Sequence, residues 1–314
     1  MFDVIIVGGG PAGLSAALVL GRCLRRVLVC DGGKPRNARS HSLNGYLTRD
    51  GITPAEFLTL GRAELTRYGV EQRHVSVDDV VGSPPGFDVV LATGERLTAR
   101  TVLLATGVRD HLPDVPGVDE CYGVSVHHCP YCDGWESRGQ VIAALGDPTS
   151  PAGLALSLRT WSRNVIACTN ATTRIPPSQR RELARHDIPV YESRIVRLDH
   201  DHGRARRLVF EDGTDVACQR VFFASSQSQQ CPLAERLGCE FTSKGTVKTD
   251  HLGRSCVPGL YVVGDASRDV QFVVVAAAEG AKAGVAINQA LQTANQALQT
   301  AGAPPRPAIA AARP

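Results

Sequence analysis

Apolar residues fall into short runs that alternate with segments of helical periodicity. The first run, DVIIV at residues 3–7, breaks into glycines and is followed by a helix-period segment that ends near Arg22. A second run, RVLVCD at residues 26–31, completes a strand–helix–strand unit. The pattern therefore predicts an α/β protein that begins with a βαβ unit.

Further elements are predicted before residue 113. The segment TPAEFLTLGRAELTRYG (53–69) predicts a helix with Thr53 as its N-cap and Pro54 as its first residue. The runs HVSVDDVVG, FDVVLAT and ERLTARTVLLATG then predict three consecutive strands. We expect these elements to belong to the same domain as the βαβ unit.

The composition changes twice later in the chain. The Pro-rich joint LPDVPGVDE (112–120) predicts the start of a second domain, in which residues 140–169 repeat the strand, turn, helix, strand order. From about residue 246 the pattern shifts again, and GLYVVGDA (259–266) predicts a strand followed by an apolar helix. The duplicated NQALQTA of residues 288–301 predicts an extension of that helix, and we expect residues 302–314 to be disordered.

Bulk composition narrows the classes of function. A chain of 314 residues with 43% hydrophobic content can form two domains with cores of their own. The net charge of +3, without a run of Lys or Arg, argues against nucleic-acid and membrane-surface partners. Ten cysteines are too sparse for a disulfide-built scaffold. The first residues begin a strand without a charged leader or a bilayer-spanning run, so we expect a cytoplasmic protein.

The first glycine turn has the fingerprint of a dinucleotide site. Gly8, Gly10 and Gly13 lie between a predicted strand and a predicted helix, and Asp31 closes the next strand. Glycines allow the backbone to approach a pyrophosphate, the helix N-terminus offers N–H groups, and the acid accepts hydrogen bonds from ribose hydroxyls. The turn therefore predicts a bound dinucleotide.

A Cys-x-x-Cys pair, Cys129 and Cys132, occurs in the segment HHCPYCDGWE (127–136). Pro130 supports a helix start there, and a helix start lowers the pKa of the first thiol and favours redox cycling. Half of a zinc site is one alternative, because His127 and His128 add nitrogen ligands, although no second cysteine pair follows at regular spacing. Burial of two inert thiols is the other alternative. Redox chemistry is the favoured interpretation.

Four motifs carry a resemblance to a known family: VIIVGGGPAGLSAA near the start, TVLLATG at 101–107, CPYCDG at 129–134 and PGLYVVGDA near the end. Through these motifs the sequence resembles the low-molecular-weight thioredoxin reductases and related flavoproteins, and the resemblance covers residues 1 to about 290. The resemblance implies two Rossmann-like, three-layer ββα domains, the second inserted into the first. Residues 1–113 and 246–314 would form the FAD-binding domain, and residues 114–245 would carry the cysteine pair.

The resemblance also implies roles for individual residues. Cys132 would face the flavin and bond to it transiently, Cys129 would exchange with the substrate, and Asp133 would be the acid/base group. His127 and His128 depart from the reductases, and either would deprotonate a thiol or hydrogen-bond a backbone carbonyl. A homodimer is implied as well. The residues assigned to FAD are Gly8, Gly10, Pro11, Ala12, Gly13, Asp31, Asn44, Ala105, Thr106, Gly107, Gly264, Asp265, Gln271 and Phe272.

The second turn, ALGDPTSPAGLAL (144–156), fails as a pyrophosphate site. One frame of the fingerprint puts Pro148 and Pro151 at the second and third glycine positions, and the other puts Leu145, Asp147 and Ser150 at all three. Proline has no N–H to bond a phosphate, and an aspartate repels it. After the next strand, Arg174 is the one arginine where the resembled reductases have a His-Arg-Arg cluster. We therefore expect NADP(H) not to bind.

Three functions remain. The leading one is an FAD-dependent dithiol oxidase in which a small-molecule dithiol reduces the cysteine pair and O2 reoxidises the flavin to give H2O2. The sequence resembles a branch of the family that closes disulfides in natural products, although that branch often has histidine in place of Asp133. The alternatives are an NADPH- or other donor-dependent thioredoxin reductase and a non-catalytic flavin redox sensor.

Overall fold

The protein is represented by a computed structural model, which describes residues 1–83, 85–146, 149–224, 226–268 and 270–300. The predicted disordered tail lies outside these residues. The helices are α1 Pro11–Arg22, α2 Pro54–Thr66, α3 Val118–Cys121, α4 Pro130–Asp133, α5 Ala152–Leu158, α6 Pro177–Arg185, α7 Leu233–Arg236 and α8 Val273–Thr300. The strands are β1 Phe2–Val7, β2 Val27–Cys30, β3 Glu71–Arg73, β4 Val77–Ser83, β5 Gly86–Leu91, β6 Arg96–Leu104, β7 Val108–His111, β8 Val126–His127, β9 Ile142–Leu145, β10 Val165–Cys168, β11 Val190–Tyr191, β12 Ile195–Asp201, β13 Arg204–Phe210, β14 Asp215–Ala217, β15 Arg220–Phe223, β16 Ser226–Gln229 and β17 Leu260–Val262.

The chain folds into two compact units. The first unit comprises residues 1–33, 60–107 and 231–314, and the second comprises residues 34–59 and 108–230. These limits differ from the predicted boundaries at residues 113 and 246. Leu233 and Ala234 are buried in the hydrophobic core of the first unit, which explains why residues 231–245 belong there. Residues 34–59 belong with the second unit because Arg36 pairs with Asp110 of that unit.

The first unit is built on a seven-stranded sheet. In it β3, β2, β1, β6 and β17 are parallel neighbours, and β5 and β4 continue from β6 as an antiparallel meander. Strand β1 is buried along its whole length, as its apolar run predicts. Helix α1 packs closely on α8, where a side chain on Gly280 would overlap the carbonyl group of Ala12. This arrangement is the predicted Rossmann-like layer structure.

The second unit has a five-stranded parallel sheet of its own, in the order β11, β10, β9, β15, β8. An antiparallel sheet of β12, β13 and β14 accompanies it, and β7 pairs with β16 in a separate two-stranded ribbon. One cluster of buried residues joins the five-stranded sheet to β12 and β13, and another joins it to α5 and α6. The repeated strand, turn, helix, strand pattern of residues 140–169 is confirmed as β9, α5 and β10.

Several local predictions are confirmed. Helix α2 begins at Pro54, and the Thr53 hydroxyl accepts a hydrogen bond from the backbone N–H of Glu56 at 3.2 Å, as expected of an N-cap. Helix α8 runs to Thr300 and so includes nearly all of the duplicated segment.

None of the helices in the described residues combines the length and apolar character needed to cross a bilayer. The cytoplasmic location stays a prediction.

Candidate active site

The glycine turn after β1 fits a dinucleotide. Gly8 has a φ of 109°, and a Cβ on Gly13 would overlap the Gly8 carbonyl oxygen, so α1 approaches β1 this closely only with glycine there. Among the described residues, no atom lies within 4 Å of the place where a Cβ on Gly10 would stand. Pro11 then begins α1, so the start of the helix adjoins open space. A pyrophosphate group fits such a cradle.

The other predicted FAD residues of the first unit follow parallel strands that end at one edge of the sheet. Val7, Leu104 and Val262 are in register at the carboxyl ends of β1, β6 and β17. A Cβ on Gly264 would stand 3.1 Å from the Cβ of Ala12. The structure thus brings together the segments Gly8–Gly13, Ala105–Thr106–Gly107 and Gly264–Asp265, and places Gln271 and Phe272 directly before α8.

The Asp31 carboxylate lies beside the same turn. Its Oδ1 accepts a hydrogen bond from the backbone N–H of Gly33 at 3.1 Å, and its Oδ2 accepts one from Arg62 Nη2 at 2.8 Å. A Cβ on Gly9 would stand 2.7 Å from Asp31 Oδ2. Asp31 is therefore placed where a ribose-binding acid is expected.

The cysteine pair lies in the second unit as a disulfide. Cys129 and Cys132 are bonded to each other, and Cys129 is the N-cap of α4, where its Sγ accepts a hydrogen bond from the backbone N–H of Cys132 at 3.1 Å. Pro130 is the first residue of α4, as predicted. This N–H stabilises a thiolate on Cys129 when the disulfide opens.

Asn44 is apart from the other residues assigned to FAD. It belongs to the second unit, and its side-chain Nδ2 donates a hydrogen bond to the Cys132 carbonyl oxygen at 2.9 Å. The structure therefore ties Asn44 to the backbone of the disulfide turn.

His127, which is buried, and Asp133, which is partly buried, form a pair next to the disulfide. Nδ1 of His127 is 3.3 Å from Oδ1 of Asp133, and the two side chains are 8% and 23% exposed. Burial, assisted by the charge on Arg220, lowers the pKa of His127 to about 3. Burial, together with the charge on Glu136, raises the pKa of Asp133 to about 7, against the opposing effect of Arg220. The pair is therefore a neutral imidazole beside a carboxyl group that titrates near neutral pH, which suits an acid/base group.

His128 makes different contacts. Its Nδ1 is 2.9 Å from the Tyr122 hydroxyl, and its Nε2 is 3.2 Å from Arg36 Nη2. Asp110 accepts two hydrogen bonds from Arg36, at 2.7 and 2.6 Å, and others from Tyr122 at 3.1 Å and Gln227 at 3.0 Å. Burial lowers the pKa of His128 to about 4. Both ring nitrogens are engaged in this network, which favours a structural role for His128 over a role as a base.

Sequence reasoning missed the polar network around His128. Arg36, Asp110, Tyr122 and Gln227 are far apart in the chain and form no motif of fixed spacing. Arg220, the first residue of β15, acts electrostatically on Asp133 and likewise stands in an ordinary strand sequence. No local signal in the sequence marks these residues.

Aromatic side chains flank the disulfide turn. Tyr131 is 74% exposed and Trp135 is 65% exposed. Tyr131 lies edge-on to Trp161 with 5.7 Å between ring centroids, and the Arg138 guanidinium lies 4.3 Å above the Trp135 ring. The turn therefore exposes two aromatic rings, one of them covered by the charged side chain of Arg138.

The turn after β9 differs from the turn after β1. A Cβ on Gly146 would stand 2.5 Å from Cδ of Pro151, the residue that precedes α5. The Thr172 hydroxyl donates a hydrogen bond to the Gly146 carbonyl oxygen at 3.2 Å. Asp147 and Pro148 lie outside the described residues. Pro151, at the third glycine position, has no N–H, and the backbone N–H of Ala152 at the start of α5 already donates to the Ser150 hydroxyl at 3.4 Å. This turn therefore fits a pyrophosphate poorly.

Comparisons with known proteins agree with this architecture. A family model described as pyridine nucleotide-disulphide oxidoreductase matches residues 2–280. The probable thioredoxin reductase of Arthroderma benhamiae is 32% identical over 302 residues, which cover 85% of this chain and 74% of that protein. Among solved structures, the putative thioredoxin reductase TrxB of Bacillus anthracis has a TM-score of 0.89 at 31% identity, covering 94% of this chain and 99% of that one. The structure of HlmI has a TM-score of 0.90 at 37% identity, covering 96% and 98%.

Proposed function

Because this chain belongs to the pyridine nucleotide-disulphide oxidoreductase family, whose members are FAD-dependent, we propose that it is a dithiol oxidase. In the proposed reaction the Cys129–Cys132 disulfide takes two electrons from a small-molecule dithiol, which becomes an intramolecular disulfide. The chemistry that bound FAD supplies is passage of this electron pair to dioxygen, with hydrogen peroxide as the product. The proposal includes a homodimer and neither a nucleic acid nor a membrane as partner.

The observation that carries the proposal is the contrast between the two glycine turns. In the first turn α1 begins beside open space at Gly10. In the second turn Pro151 has no N–H, and the backbone N–H of Ala152 at the start of α5 is already bonded to Ser150 Oγ. A reductase fed by NADPH needs a pyrophosphate site at the second turn. A protein with a flavin site and a disulfide, but whose second turn offers a pyrophosphate few free N–H groups, is better suited to accept electrons from a dithiol.

Thiol–disulfide exchange at the cysteine pair accounts for the first half of the reaction. A substrate thiolate attacks Cys129 Sγ, forms a mixed disulfide and releases Cys132 as a thiolate. The second substrate thiolate attacks the substrate sulfur of that mixed disulfide, closes the substrate disulfide and releases Cys129. The N–H of Cys132, 3.1 Å from Cys129 Sγ, stabilises the leaving thiolate. Two electrons and two thiol protons leave the substrate.

Asp133 is the proposed acceptor of a proton from the substrate thiol. It directly follows Cys132 on α4, and its pKa of about 7 leaves a large ionised fraction at neutral pH. His127 holds the Asp133 carboxyl group in place through the 3.3 Å contact at Nδ1. The exposed rings of Tyr131 and Trp135 support an apolar small-molecule substrate, because they offer stacking surfaces next to the disulfide.

A thioredoxin reductase is the second candidate. The relatives from Arthroderma benhamiae and Bacillus anthracis carry that name, which favours reduction of a protein disulfide with electrons from NADPH or another donor. In this case electrons would run from the flavin to Cys132 and leave through Cys129. The two candidates therefore differ in the direction of electron flow.

The test is anaerobic titration of the flavin-loaded protein. Absorbance of the oxidised flavin is recorded on addition of excess NADPH and, in a separate sample, on addition of dithiothreitol as the probe dithiol. We expect no bleaching by NADPH, bleaching by dithiothreitol, and recovery in air with release of hydrogen peroxide. A Cys129→Ser variant should not be bleached by the dithiol, whereas Cys23→Ser, a change at an exposed cysteine of the first unit, should behave as the unaltered protein. Rapid bleaching by NADPH would instead establish the reductase.

A further inference from the structure

Arg220 has a buried donor that the fold leaves unexplained. It begins β15, and among the described residues no acceptor bonds its buried Nε. Its Nη1 makes one long contact of 3.4 Å with the carbonyl oxygen of Gln219. Buried N–H groups without an acceptor are rare in folded proteins, and at a candidate active site such a group calls for a functional explanation.

The strand register places Arg220 on the side of the sheet that carries His127. Strand β15 lies between β8 and β9, and Phe222 is the register partner of His127. Arg220 and Phe222 are two residues apart, so their side chains leave the same face of the sheet. The His127 ring lies 5.3 Å from the Phe222 ring, and its Nδ1 contacts Asp133. Arg220 therefore shares a face of the sheet with His127, the residue that contacts Asp133.

The side chains that act on Asp133 differ in charge. His127 is held neutral by its burial, which lowers its pKa to about 3. Glu136, on the turn after α4, carries a negative charge that disfavours ionised Asp133, and Tyr122 is kept protonated because burial raises its pKa. Arg220 is the cation among these groups, and Arg204 on β13 is the further positive charge that acts on it.

We infer that Arg220 is the counter-ion of Asp133, a positioning residue that stabilises the carboxylate whenever Asp133 gives up its proton. The neutral carboxyl group contacts His127, and the ionised one would be stabilised by the charge of the Arg220 guanidinium, whose buried Nε has no acceptor among the described residues. Burial raises the pKa of Asp133, the charge on Glu136 raises it further, and Arg220 opposes both, which leaves the titration of Asp133 near neutral pH. The effect of Arg220 on catalysis rests on the proposed acid/base role of Asp133. The pairing of Arg220 with Asp133 does not rest on that role.

The pairing is tested by carbon NMR on the flavin-loaded, oxidised protein with labelled aspartate carboxyl groups. The Asp133 signal is assigned by its loss in Asp133→Asn. In Arg220→Met we expect the titration midpoint of Asp133 to rise by about one pH unit, because an opposite charge that favours the carboxylate is removed. Arg220→Lys should restore most of the shift. Arg138→Met removes the same charge from a side chain that lies over Trp135, and should leave the midpoint unchanged.

Glu136→Gln provides a second test that does not alter Arg220, and it should lower the midpoint. An unchanged or lower midpoint in Arg220→Met, with the fold retained by circular dichroism, would overturn the inference. The pH dependence of dithiol-driven flavin bleaching separates the inference from the proposed function. If the NMR midpoint of Asp133 moves and the pH–rate profile moves with it, both the pairing and the acid/base role of Asp133 are confirmed. If the midpoint moves and the profile does not, the pairing stands and the acid/base role of Asp133 fails.

Discussion

His127 and His128 are adjacent in the sequence, but their side chains contact different groups. The sequence marks both as unusual and gives no means of choosing between them, because the contacts of each ring depend on how the chain folds around it. Tyr122 and Arg36 engage the two ring nitrogens of His128, while Asp133 contacts His127. The cysteine pair itself was predictable, since its helix start, proline and following aspartate are local features. The roles of the two histidines could be separated only after folding had brought their partners together.

Asp133→Asn tests the acid/base role at the residue scale. The amide cannot accept the thiol proton, so we expect the rate of dithiol-driven flavin bleaching to fall by about 100-fold. In the unaltered protein this rate should rise with pH through about 7, where Asp133 ionises. The variant should lack that rise and keep only the dependence that comes from ionisation of the dithiol itself. Stopped-flow measurements across pH 6 to 9 check this, and an unchanged profile would exclude Asp133 as the base.

Elements with a strong apolar pattern were predictable, and short polar ones were not. The apolar runs of β1 and β9 and the helical periodicity of α1 and α8 identify those elements in the sequence. Strand β16 has the sequence SQSQ and pairs with β7. No alternation of apolar and polar residues predicts this strand. Its strand conformation depends on hydrogen bonds to a partner far away in the chain. Pairing of this kind leaves little trace in local sequence.

The contact between α1 and α8 gives a prediction at the element scale. Gly280→Ala would place a Cβ against the Ala12 carbonyl group and push α8 away from the glycine turn. We expect this variant to be purified with less than half of the normal flavin content, measured by absorbance after gel filtration. Gly153→Ala is the matched control, because Gly153 also lies in a helix, α5, but no described atom lies within 4 Å of the place where its new Cβ would stand. It should keep its flavin and gain about 0.5–1 kcal/mol from higher helix propensity. Equal flavin content in the two variants would contradict the prediction.

The expected division into two domains came from the resemblance of the motifs to a known family and not from their order along the chain, which alone would make residues from about 246 a third piece. The place of residues 34–59 could not be predicted from the sequence, because residues 34–52 carry no pattern of their own and the boundary after residue 59 falls inside helix α2. Arg36 and Asn44 fix this segment to the second unit through Asp110 and the Cys132 carbonyl oxygen. The segment therefore supports the backbone of the disulfide turn. Long-range polar contacts of this kind determine which residues share a unit.

The network around His128 makes the stability of the second unit depend on pH. Unfolded His128 gains a proton below its ordinary pKa of 6.5, whereas the buried side chain does not until about pH 4. Stability is therefore lost as the pH falls between these values, and His127 acts in the same direction. Asp133 acts in the opposite direction, because its raised pKa makes stability fall as the pH rises from 3.8 towards 7. Comparison with a variant at position 128 isolates the contribution of His128 to this pH dependence of stability.

His128→Asn should make the second unit less stable at pH 7 but less sensitive to acid. Loss of the contacts with Tyr122 and Arg36 should cost about 1–3 kcal/mol at pH 7. Between pH 7 and pH 5 the variant should lose about 2 kcal/mol less than the unaltered protein, since the side chain that takes up the proton on unfolding is gone. Both tryptophans, Trp135 and Trp161, lie in the second unit, so urea unfolding followed by tryptophan fluorescence reports on it. His202→Asn, a change at a side chain that is 98% exposed, should leave the pH dependence unaltered. Parallel stability curves for His128→Asn and the unaltered protein would show that His128 is not held neutral by burial.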